Sequence, residues 1–127
     1  MNIKKLVAGS MLSMLMTSEM ASADWGDVYY CQMTNFIEIT LEGEEKRWKL
    51  EKFQFKLDQT KNAMVFGSTG VFAGEVVDLV IGSNFPSQEL WVANNKWDIV
   101  TFQTGKFLFT QNTFEAIRSI SADCEKF

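Results

Sequence analysis

The stretch Leu90-Trp91-Val92-Ala93-Asn94-Asn95-Lys96-Trp97-Asp98-Ile99-Val100-Thr101-Phe102 decides the fold. Its side chains alternate between two faces on either side of a paired asparagine, which is the signal of two strands joined by a turn. Asparagine tolerates the positive φ of a two-residue hairpin. Asn94-Asn95 is therefore expected to pair Val92 with Trp97 and Trp91 with Asp98, setting the two tryptophans on opposite faces. The pattern continues downstream. Gln103-Thr104-Gly105-Lys106 turns the chain into a strand at 107–110, Gln111-Asn112-Thr113 reverses it, and a last strand fills 114–124.

Upstream the same reading holds. A first strand or strand pair spans 28–41, with Ile37, Ile39 and Leu41 on one face and Glu38 and Thr40 on the other. Residues 46–57 change phase, because Trp48 and Leu50 share one parity and Phe53, Phe55 and Leu57 the opposite one. One extra residue near Glu51-Lys52 explains this, so a bulge or bend is predicted there. Further strands are expected at 63–68 and at 71–81, where Gly74 introduces a kink, with a loop at 82–86. No segment after residue 23 carries a clear 3.6-residue stripe. The fold class is all-β, an antiparallel meander of about eight strands. It closes into a small β-barrel, which removes exposed edges, with a two-sheet sandwich as the alternative.

Two cysteines, Cys31 and Cys124, lie near opposite ends of the strand region. No Cys-x-x-Cys is present, so the pair reads as one structural disulfide of an oxidising compartment. It joins the first and last strands, the two that barrel closure brings together.

The chain opens with Met1-Asn2-Ile3-Lys4-Lys5, an apolar stretch at 6–16, and Ala21-Ser22-Ala23 with small residues at both positions a signal peptidase reads. Residues 1–23 are expected to be a helical, cleavable signal peptide and 24–127 one disulfide-stapled β-domain. Thr17 and Glu19 interrupt the apolar run before it reaches the ~20 residues of a spanning helix, and no later run approaches that length. No cysteine sits at the cleavage point to take a lipid. The expected location is periplasmic or secreted, in a bacterium. A membrane barrel is set aside, because counting back by twos from Phe127 places Glu125 and Asp123 toward lipid.

The whole chain has 12 basic and 16 acidic residues. Losing Lys4, Lys5 and Glu19 with the leader takes the net charge from −4 to −5. That balance argues against nucleic acid as a partner. The sequence holds no histidine, which removes Ser-His and Cys-His nucleophile systems and the usual zinc, copper and non-haem iron sites. No metal or cofactor is expected. Chemistry by carboxylates alone survives, with Glu75 and Asp78 as the acids that interrupt an apolar segment.

The 11 Phe, 4 Trp and 2 Tyr all follow the leader. Most belong to the core, but both parities of some segments are apolar. Trp91, Val100 and Phe102 oppose Trp97, Ile99 and Val92, so one set lies outside the main core and is free to bind a small apolar ligand or a protein. The first set, Trp91, Val100 and Phe102, is taken as the binding candidate. Ser68 and Phe72 of a glycine-rich loop join it.

Tyr29-Tyr30-Cys31 and Gly67-Ser68-Thr69-Gly70-Val71-Phe72 resemble features of the small periplasmic inhibitors of animal-type lysozyme. Those are disulfide-linked eight-stranded barrels with a Tyr-x-Cys in the first strand and a Ser-Gly-x-x-Tyr loop. The present loop differs in spacing and has no tyrosine. The resemblance implies a protein-binding loop, and the negative charge favours a cationic partner. The expected function is a non-enzymatic binding module, with a structural envelope component or a carboxylate hydrolase as alternatives. The oligomeric state is left open.

Overall fold

The computed structural model describes residues 23–80 and 90–127. The expected signal peptide, apart from Ala23, and the loop expected at 82–86 lie outside them. Nine strands run in chain order: β1 Val28–Thr40, β2 Glu45–Arg47, β3 Lys52–Asp58, β4 Ala63–Phe66, β5 Val76–Leu79, β6 Leu90–Asn94, β7 Asp98–Gln103, β8 Lys106–Asn112 and β9 Ala116–Lys126. Neighbours are antiparallel in the order β2-β1-β3-β4-β5-β6-β7-β8-β9, and β9 returns to β1. β1 and β3 to β9 therefore close an eight-stranded barrel, while β2 is a short flap on the upper end of β1. No helix occurs among the described residues.

The seam is the longest pairing, running from Tyr29↔Lys126 to Thr40↔Ala116. Cys31 and Cys124 are register partners within it and form the expected disulfide, with Cα atoms 4.0 Å apart. A register shift between Met33 and Asn35 leaves Thr34 as an extra residue, its Oγ1 2.8 Å from Ser121 Oγ. Such a bulge inverts the side-chain parity that follows. Tyr29, Cys31 and Met33 point inward before it, and Phe36 and Glu38 after it. The face shared by Ile37 and Ile39 is consequently the outer one.

Three local readings need correction. The expected strand at 46–57 is interrupted over 48–51 rather than bulged at one residue. Both halves stay on β1 through Trp48 N to Phe36 O at 2.9 Å and Met33 N to Glu51 O at 3.0 Å. The strand expected from residue 71 begins only at Val76. Before it the chain turns at Gly74, with φ of 73°, whose N–H bonds Gly67 O at 2.8 Å. The β6–β7 hairpin pairs Trp91 with Phe102 and Asn94 with Ile99, not Trp91 with Asp98. Neither asparagine adopts the positive φ of a two-residue turn. Instead the Asn95 Oδ1 accepts from Trp97 N at 3.1 Å and Asp98 N at 2.9 Å, building a longer turn with its own side chain. The shift is an even number of residues, so the faces are unchanged: Trp91 is inside and Trp97 outside.

The interior is filled in layers that follow the register. Trp91, Phe102, Phe107, Ala122 and Met33 are successive partners around half the barrel, and Ala93, Val100, Phe109, Ile120 and Phe36 form the next layer. Small alanines stand beside large rings, so the layers interdigitate. Rings meet edge to face, as for Phe55 and Phe102 at 5.1 Å and 82°. The lower end is covered by the chain before β1. Gly26 N bonds Leu57 O at 2.7 Å, and Trp25 stands edge-on to Trp91 at 5.1 Å.

Candidate functional site

The upper rim gathers the polar chemistry. The Thr34 bulge turns Glu38 inward, and the turn at Asn95 turns Asp98 inward. These are the two charged residues buried among the described ones, each 7 % exposed. A chain of hydrogen bonds joins them. Trp48 Nε1 donates to Glu38 Oε1 at 3.1 Å, and Arg118 Nε to Glu38 Oε2 at 3.2 Å. Arg118 Nη1 donates to Gln111 Oε1 at 3.2 Å, and Gln111 Nε2 to Asp98 Oδ1 at 2.9 Å. Asn95 Nδ2 completes the chain at Asp98 Oδ2, 3.2 Å away. Both oxygens of each carboxylate are thus engaged, which is the condition for burying a charge at tolerable cost.

Arg118 divides two clefts. One, of about 410 Å³, is bounded by Phe36, the half-exposed Trp48, Lys49 and Val71. The other, of about 490 Å³, lies between the β1–β2 and β8–β9 turns and includes Glu42, Lys46 and Glu115.

The loop at 67–75 overhangs the first cleft. Phe72 drops from it into the barrel, 4 % exposed, against Phe53, Phe66, Phe107 and Phe109 at ring distances of 4.9 to 5.8 Å. Glu51 Oε1 accepts from Val71 N at 3.0 Å. Gly70, with φ of +85°, allows that approach, because a Cβ there would stand 3.0 Å from the same oxygen. The loop is held from both sides, with Ser68, Thr69 and Val71 exposed at its surface.

The residues singled out in the sequence fall into two groups. Trp91, Val100 and Phe102 are at most 1 % exposed and belong to the interior layers. Phe72 anchors the loop, and Ser68 lies on its exposed surface. The partition of the β6–β7 hairpin into two apolar sets is correct, but the set outside the core is the other one. Trp97 and Ile99 are 39 % and 52 % exposed. Glu75 and Asp78 are both exposed, whereas the inward acids are Glu38 and Asp98. The sequence does not mark Glu38 as an inward acid, because the bulge at Thr34 that sets its facing leaves no trace in the residue types around it. Trp48 was masked by its basic neighbours Lys46, Arg47 and Lys49.

Among the described residues no three His, Cys, Asp or Glu side chains group to hold a metal ion, and no helix is long and apolar enough to cross a membrane. No protein-family model, curated protein or solved structure matches the chain.

Proposed function

We propose that this protein is an exported, non-enzymatic module that binds another protein outside the bacterial cytoplasm, docking through the rim made by the 67–75 loop and Trp48. The observation that carries this reading is the fixed loop beside the cleft. Exposed Ser68, Thr69 and Val71 are presented on a backbone tied down by Phe72 and Glu51, next to a half-exposed tryptophan. A loop already held in one conformation loses little entropy on association, and tryptophan is the residue type most enriched at binding hot spots.

The reading draws on three further features. The disulfide is of the kind that oxidising compartments sustain. The interior layers are packed with aromatic side chains, so a carried apolar ligand has less support than a protein at the surface. The net charge of −5 favours a cationic partner, in line with the resemblance to lysozyme inhibitors.

Site-specific photo-crosslinking in the native host tests the proposal. A photoreactive residue at Thr69 is expected to give one adduct of discrete mass, which Trp48→Ala abolishes. The same residue at Lys56, at the lower end of β3 away from the rim, is expected to give none. Identical adducts from both positions, or none from Thr69, would refute docking at the rim.

A further inference from the structure

The outer wall formed by β7, β8, β9 and β1 differs from the rest of the surface. Ile99, Leu108, Ile117 and Ile39 are each 44 % exposed or more, and the residues between them are Thr101, Thr110, Ser119 and other uncharged side chains. Ile39 and Ile117 are direct register partners. Two pairs of opposite charge stand at its borders: Glu45 with Arg47 at 3.2 Å on β2, and Lys106 with Asp123 at 2.8 Å below. An apolar centre inside a polar border is the composition of a protein interface.

The wall also carries a projection and a matching depression. Phe114, 76 % exposed, stands at its upper edge, braced edge-on by Trp97 at 5.7 Å. Lower down, Ser119 and Ser121 floor a groove of about 270 Å³ between Ile37 and Asn35 on one side and Leu108 and Thr110 on the other. The small serines make the trough and their larger cross-strand partners make its sides. Phe114 precedes Ile117 by three residues, and the middle of the groove follows it by three. Phe114, in the β8–β9 turn, and the groove, on β9 beyond Ile117, therefore stand on opposite sides of Ile117 along the wall.

We propose that this wall binds a second copy of the chain about a two-fold axis through Ile117. In that arrangement Phe114 of each copy enters the groove of the other, and the two Ile117 side chains meet at the axis. Self-complementarity of this kind is what a two-fold contact requires. The lack of charge points to the same occupant. A net-negative chain meets its own copy with least like-charge opposition where its surface carries no charge. The two barrels would lie antiparallel, their rims facing opposite ways and both free.

Sedimentation equilibrium of the purified, oxidised protein tests this. A reversible dimer is expected across the micromolar range. Ile117→Lys sets two like charges face to face and is expected to weaken it at least about 30-fold, the effect of a central interface residue. Phe114→Ala, at a fully surface position, is expected to weaken it by a smaller factor, with the near-ultraviolet circular dichroism of both variants unchanged. Ile117→Cys is expected to give a disulfide-linked dimer in air, and Lys56→Cys none. A protein that stays monomeric throughout, or a dimer indifferent to both Ile117→Lys and Phe114→Ala, would overturn the proposal.

Discussion

Glu38 and Arg118 are register partners across the β1–β9 seam, and their side chains meet on its inner face at 3.2 Å. The Glu38 side chain is 9 % exposed and that of Arg118 is 42 % exposed. Removing one member of a fully buried pair costs roughly 3–5 kcal/mol. Arg118→Met is expected to cost less than this, since water screens the guanidinium. Glu38→Leu combined with Arg118→Met is expected to be more stable than Arg118→Met alone, because no buried charge is left unpaired. Urea denaturation of the two single variants and the double variant measures this coupling.

Trp91 offers a second prediction. Its Nε1 is the one buried side-chain polar atom without a hydrogen-bond partner among the described residues. A buried donor left unpaired costs about 1–3 kcal/mol. Trp91→Phe removes that cost while giving up part of the packing against Trp25. Its stability is expected to lie within about 1 kcal/mol of the parent, far from the 3–5 kcal/mol typical of Trp→Ala in a core. Denaturant midpoints of Trp91→Phe and Trp91→Ala make the comparison.

The disulfide closes a loop with a sequence separation of 93. In the chain-entropy model such a bridge stabilises by about 4–5 kcal/mol, as an upper figure. Replacing both cysteines by alanine is expected to lower the denaturant midpoint substantially and to steepen the transition, because the denatured chain, no longer cross-linked, exposes more surface. Intact-mass measurement of the parent is expected to show two hydrogens fewer than the reduced chain.

At the rim, Gly70→Ala combines an unfavourable positive φ with a contact of 3.0 Å to Glu51. It is expected to destabilise by more than about 1 kcal/mol and to loosen the loop. Amide exchange at Val71, whose N–H bonds Glu51, is expected to accelerate. Ser68→Ala, on the exposed surface, is expected to leave stability and exchange unaltered.

The strand count, the closed barrel and the cysteine pairing are legible because each rests on period-two alternation or on two cysteines with no other partner. The Thr104-Gly105 turn is legible too, since both residues adopt the positive φ that a two-residue hairpin demands. What the sequence hides is whatever depends on a single inserted residue. Thr34 adds one residue to β1 and so decides that Glu38, not Ile37, faces Arg118. Asn95 looks like half of a tight turn but acts through its side chain. Period-two reasoning also separates Trp91 from Trp97 without saying which faces inward. That choice follows from the opposing strands, where Phe102 and Phe107 continue the Trp91 layer.

Closure between β1 and β9 has a kinetic side. Tyr29 pairs with Lys126, so the first strand of the barrel waits for the ninth before its outer edge is satisfied. Pairings this distant in sequence are slow to form, because chain entropy is lost before the contacts repay it. A chain delivered from its amino terminus, by a ribosome or through a membrane pore, cannot complete the barrel until β9 has emerged. During that interval β1 is an open edge, and Cys31 is a thiol without its mate. The edge and the thiol are therefore left open together and closed together, by the single event of β9 docking on β1.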